Sequence, residues 1–125
     1  MRDIKEIRFR VWVKFLQEMQ NVQCLNMGSS VITDGYDYPI EADAVYLMQY
    51  TGVKDANAVD IYEGDVVECS RGAGVISWAK DFCGFSLSIK TKHSLLEVSM
   101  SSPTVTPCKV IGNIYANPEL TKQGE

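Results

Sequence analysis

The chain has 125 residues, 46% hydrophobic and 10% aromatic, which suits one domain of ordinary size or a small domain with an appendage. That composition excludes a disordered tail, and a chain of this length can bury a core without covalent staples. Twelve basic against sixteen acidic residues give a net charge of −4, which argues against an all-over nucleic-acid binder.

Four cysteines are too few for a disulfide scaffold. No run of about 18 apolar residues exists to span a membrane. Arg8, Arg10, Lys14 and Glu18 interrupt the N-terminal apolar pattern, so no secretory signal is read there. The expectation is a cytoplasmic protein without a membrane partner.

The charge is unevenly laid out. Met1 to Lys14 carries Arg2, Lys5, Arg8, Arg10 and Lys14 against Asp3 and Glu6, a balance of +3. Asp34 to Glu68 carries nine acids against Lys54 alone, a balance of −8. These segments are either solvated faces or a means of steering a partner, including a second copy docking its basic segment on the acidic one.

Ile7, Phe9, Val11 and Val13 alternate with Arg8, Arg10, Trp12 and Lys14, the period-2 pattern of a half-buried strand. A helix from Ile4 through Ile7, Val11 and Phe15 is the competing reading. Gln17 to Gln23 reads as a polar connection, and Val31–Thr33 as a short strand. Asp34-Gly35-Tyr36-Asp37-Tyr38-Pro39 reads as a loop, because Asp-Gly is a strong turn dipeptide and proline blocks a ladder. Strands are then expected at Ala44–Tyr50, Asp65–Ser70, Gly74–Ala79, Phe82–Lys90, Leu95–Met100 and Val110–Tyr115. Short strands at this spacing, without an intervening helical pattern, point to a small barrel or sandwich. Asn117-Pro118-Glu119-Leu120 places an N-cap residue, a proline and an acid where one helical turn starts. Residues 121–125 read as a frayed tail.

Chemistry-bearing constellations are sparse. Cys24, Cys69, Cys83 and Cys108 form no Cys-x-x-Cys pair, and His93 is the single histidine, so no zinc site is read. The thiols are expected free and mostly buried, and nothing local activates a dyad of His93 with Cys83 or Cys108. Asp55-Ala56-Asn57-Ala58-Val59-Asp60 begins like a calcium loop but fails at its fifth, sixth and twelfth positions. A turn is the better reading, since Asp and Asn bond their own backbone. Gly72 and Gly74 lack the continuation of a phosphate loop. No cofactor and no catalytic set is expected.

The best binding signature is Arg8, Arg10, Trp12 and Lys14 on one strand face. Basic residues neutralise phosphates while a ring stacks on a base, so nucleic acid is a candidate partner. The alternative is an ordinary face whose Trp12 packs under a loop or on a partner subunit.

Two blocks resemble the YopX family of phage and prophage proteins. The first is Leu47-Met48-Gln49-Tyr50-Thr51-Gly52-Val53-Lys54-Asp55-Ala56-Asn57 with Ile61-Tyr62-Glu63-Gly64-Asp65-Val66-Val67. The second is Val110-Ile111-Gly112-Asn113-Ile114-Tyr115-Ala116-Asn117-Pro118-Glu119-Leu120. Ile7-Arg8-Phe9-Arg10-Val11-Trp12 is similar to that family's opening pattern. Val13 stands where the family usually has an acid, and Ala58 where a glycine usually completes an Asn-Gly turn.

The resemblance implies an all-β fold, with an SH3-like barrel over residues 45–120 and an N-terminal β-rich segment over 1–44 that serves self-association. It implies no enzymatic activity. The function expected is therefore that of a phage or prophage accessory protein, a homo-oligomer that contacts a phage or host macromolecule in the bacterial cytoplasm. The alternative is a nucleic-acid-binding module that uses the basic strand.

Gln49-Tyr50-Thr51-Gly52 is expected to end a strand in a turn, and Tyr62-Glu63-Gly64-Asp65 to form a second turn whose acids stay wet. Tyr50, Tyr62 and Tyr115 are either fold determinants or the lining of a shallow aromatic groove for peptide or nucleic acid.

Overall fold

The computed structural model describes residues 7–26, 29–39, 45–90, 94–100 and 107–122. The chain is mainly β, with almost no helix and a sheet curled into a half-barrel. Its backbone contacts separate two compact units, Met1–Tyr50 and Thr51–Glu125.

In the first unit, β1 (Phe9–Val13) pairs antiparallel with β2 (Glu18–Asn21) on one side. On its other side it pairs with the first part of the long strand that we label β6 (Val45–Lys54). A three-stranded sheet follows the order β3 (Cys24–Asn26), β4 (Ser30–Ile32), β5 (Asp37–Pro39). Val11, Val13, Val31, Tyr38 and Val45 form the core here, with Val22 and Leu25 packed against them. Val13 is fully buried, which explains the apolar residue at a position where the family resemblance expects an acid.

The period-2 pattern is realised as β1, yet the strand is not half-wet: Val11, Trp12 and Val13 are all buried. Two further readings are corrected. The polar run Gln17–Gln23 contains β2, held by pairing and by Gln20, whose Oε1 accepts from Thr33 Oγ1 at 2.8 Å and Tyr38 OH at 3.3 Å. The expected loop at Asp34–Pro39 contains β5. Proline is tolerated because β5 is an edge strand and Pro39 its last residue, opposite Ser30.

The second unit takes up the end of β6, which borders β7 (Asp60–Tyr62). β6 does not stop in a turn at Gly52; it runs on to Lys54 with Gly52 at φ +87°. The strands β8 (Asp65–Cys69), β9 (Gly72–Ala79), β10 (Gly84–Lys90), β11 (Leu95–Ser99) and β12 (Cys108–Asn113) form one antiparallel sheet ordered β11-β10-β9-β8-β12. Alternation in β10 sends Leu87 and Ile89 into a core with Ile61, Val67, Ile76, Val98 and Cys108. Each such aliphatic side chain contributes about 1.5–3 kcal/mol relative to exposure.

At Gly74 the backbones of β9 and β10 approach so closely that a Cβ would lie 2.3 Å from the Ser88 carbonyl oxygen. A 3₁₀ turn at Pro118–Lys122 follows β12, as the Asn-Pro-Glu signal predicts. Residues 123–125, His93 and Ala44 lie outside the described residues.

Asp65, expected to stay wet, is structural, and Asp55 makes the side-chain-to-backbone turn expected of it. Asp65 is only 2% exposed and its Oδ2 accepts the Tyr62 N–H at 2.8 Å, closing the Gly64 turn. Asp55 Oδ1 accepts from Asn57 N at 2.8 Å and Val59 N at 2.9 Å, while its Oδ2 accepts from Val110 N at 2.9 Å. One carboxylate thus organises the 55–59 turn and ties it to β12. These donors, Val110 foremost, then Val59 and Asn57, hold its pKa below the ordinary value despite opposing desolvation, with a smaller contribution from Lys109. Ala58, caught in this turn, adopts φ +63°.

Candidate interaction surfaces

The basic strand face is largely engaged within its own unit. The Arg8 guanidinium lies 4.1 Å from the centre of the Tyr50 ring, and Lys14 Nζ 5.9 Å from that of Tyr46. Arg10 is half-buried. Trp12 is 6% exposed and offers no open ring face for a base. Tyr50 is 3% exposed beneath Arg8. Tyr62 in β7 and Tyr115 after β12 are half-buried, and the latter's N–H donates to Asn113 Oδ1 at 3.0 Å. The acidic stretch is likewise not one solvated face, because Asp60 is paired with Lys54 while Asp55 and Asp65 serve backbone N–H groups.

The rings that meet solvent are others. In the first unit the β1–β2 hairpin turns through Lys14–Gln17, with Gln17 at φ +54° and its Nε2 donating to Lys14 O at 2.6 Å. That turn projects Phe15, 71% exposed, beside the exposed Leu16. Phe15 packs edge-on against Tyr38 at 6.3 Å, and Tyr36, 61% exposed, stacks on Tyr38 at 6.1 Å. Two exposed rings are therefore fixed by one buried ring, at geometries that contribute beyond area alone. Beside them a polar cleft of about 530 Å³ is lined by Gln20, Asn21, Gln23, Asp34 and Tyr36.

In the second unit the registers Trp78↔Phe85 and Met100 N–H to Phe85 O place three large side chains in a row across β9, β10 and the end of β11. Trp78 is 54% exposed and meets Phe85 edge-on at 5.3 Å. Phe85 and Met100 also line a groove of about 320 Å³ with Thr51, Val53 and Cys83. Sequence reading passed over both surfaces. Phe15-Leu16 immediately before the polar run Gln17–Gln23 was the available signal for the first; the second depends on hairpin register across Lys80–Cys83.

The cysteines are free. Cys24 and Cys83 are exposed, Cys69 is half-buried and Cys108 buried, so the expectation of mostly buried thiols fails for two of four. Burial first, then the nearby Asp55 carboxylate and Cys69, pushes the Cys108 thiol pKa up. Among the described residues there is no group of three or more His, Cys, Asp or Glu side chains placed to hold a metal. Nor, among them, is any helix long and apolar enough to cross a membrane.

No curated protein matches the chain. It is similar to the crystal structure of protein EF1440 from Enterococcus faecalis, at 24% identity and a TM-score of 0.56, over 93% of this chain and 98% of that one. That likeness shows a shared fold. The model of the family described as YopX protein matches residues 8–122, nearly the full length over which the strand pattern runs, and the chain belongs to the YopX family.

Proposed function

We propose that this protein is a non-catalytic interaction module of phage or prophage origin that works in the bacterial cytoplasm without a cofactor. It self-associates through its N-terminal unit and docks a phage or host macromolecule through an SH3-like C-terminal unit. The observation that carries the reading is that each unit presents large rings to solvent in fixed positions, Phe15 and Tyr36 on Tyr38 in one and Trp78 on Phe85 in the other. Fixed exposed rings suit binding, since they bury much area at little entropic cost. β11 supports the second role, because among the described residues it is an edge strand beside the Trp78 row and offers a ladder for an added strand.

Nucleic-acid binding by the basic strand is the weaker reading, since Trp12 is buried and Arg8 and Lys14 sit over tyrosine rings. Light scattering during size-exclusion chromatography tests self-association: the wild type is expected above the monomer mass, and Phe15→Ser with Tyr36→Ser at the monomer mass. Titration of labelled single- and double-stranded DNA at two salt concentrations tests the alternative, which requires salt-steep binding.

A further inference from the structure

Cys69 and Cys108 are direct partners across the β8–β12 ladder. The Cys108 carbonyl accepts the Ala56 N–H at 2.9 Å, and the Val110 N–H goes to Asp55 Oδ2 at 2.9 Å, so at these alternate positions β12 directs its hydrogen-bonding groups away from β8. Cys69↔Cys108 is therefore a non-hydrogen-bonded pair, the kind in which opposed Cα atoms lie about 4.5 Å apart. That separation falls within the range of about 4.4–6.8 Å that a disulfide spans. Both cysteines also line an open cleft of about 570 Å³ with Ala56, Asn57, Glu68 and Lys109, so a small reagent can reach them.

From this register and this access we propose that Cys69 and Cys108 are a redox pair that forms a cross-strand disulfide and clasps β12 to β8. A small-molecule disulfide of the glutathione class supplies the oxidising equivalents. The half-buried Cys69 reacts first, its thiolate attacking one sulfur of the reagent and releasing one small thiol. The Cys108 thiolate then attacks Cys69 Sγ in the mixed disulfide, forming the Cys69–Cys108 bond and releasing the second small thiol. The dithiol loses two electrons and two protons, and the reagent gains both. Burial and the neighbouring Asp55 raise the Cys108 pKa, consistent with Cys108 as the second, resolving thiol. The clasp acts on the strand that carries the Asp55 tie, and it closes the chain from Cys69 to Cys108, a loop that a disulfide stabilises by constraining the unfolded state.

The test uses the full chain with Cys24→Ser and Cys83→Ser, incubated with oxidised glutathione, alkylated and weighed intact. The expected product is lighter by two hydrogens, yields a Cys69–Cys108 linked peptide, melts at a higher temperature than the reduced form and reverts with dithiothreitol. Cys69→Ser in that background should lose both the mass change and the melting shift. A persistent glutathione adduct on Cys69, or two alkylated thiols after the exposed cysteines of the wild type have reacted fully, would overturn the proposal.

Discussion

Ala58→Gly should stabilise this protein, although it removes a methyl group and a residue with better intrinsic propensity. Ala58 is held at φ +63° because the turn around it is over-determined: its N–H donates to Asp55 O at 3.0 Å, Asp55 N–H donates to Val59 O at 2.8 Å, and the Asp55 carboxylate takes the N–H groups on either side. An L side chain in this left-handed region costs about 1–2 kcal/mol. Glycine removes that cost but brings roughly 0.5–1 kcal/mol of extra backbone freedom to the unfolded chain. At the middle of both ranges the net gain is about 0.75 kcal/mol, and with about 4–8 °C per kcal/mol for a unit of this size, melting should rise by about 3–6 °C. Thermal melts by circular dichroism read this directly. Gly64→Ala serves as the reverse case, since Gly64 sits at φ +83° and should melt lower. An unchanged or lower melting temperature for Ala58→Gly, with cooperativity intact, would refute the strain argument.

Further predictions follow from the same geometry. Gly74→Ala puts its Cβ 2.3 Å from the Ser88 carbonyl oxygen, so β10 must shift; a loss of about 1–3 kcal/mol is expected in urea unfolding. Leu87→Ala empties a fully buried site and should cost about 2–5 kcal/mol in the same assay. Because Asp55 has its pKa lowered in the folded state, its stabilising contribution is present above the unfolded value of 3.8 and is lost as pH falls through the folded value. Asp55→Asn, which presents an N–H or a weaker acceptor to Val110, should unfold at lower urea than wild type near neutral pH, with the gap narrowing below that window. Trp78→Ser should leave stability within about 1 kcal/mol, because the ring is more than half exposed and gives up chiefly its contact with Phe85.

Legibility in the sequence followed how local the cause was. β1 and β10 were readable as strands because apolar residues alternate locally there, although Trp12 on β1 and Ser86 on β10, on the faces read as wet, are buried too. β2, β3, β5 and β7 are only three or four residues long, too short to show a period, and they owe their strand geometry to neighbours supplied from elsewhere in the chain. The local turn of Asp55 was legible, whereas its tie to Val110 and the burial of Asp65 were hidden for a related reason. A carboxylate accepting backbone N–H groups has the same sequence signature as a wet turn acid, and Val110 lies 55 positions from Asp55. Trp12 marked a site by its type, yet type does not reveal that this ring is itself buried. Trp78 with Phe85, and Cys69 with Cys108, become pairs only when strand register is known.

Self-association through the hairpin tip is the claim on which the functional reading stands, and mass in solution tests it most directly. Light scattering across a concentration series should give a mass above 14.0 kDa for the wild type, falling to that of one chain when Phe15 and Tyr36 become serine. A wild type that remains at 14.0 kDa at the highest concentration would contradict it.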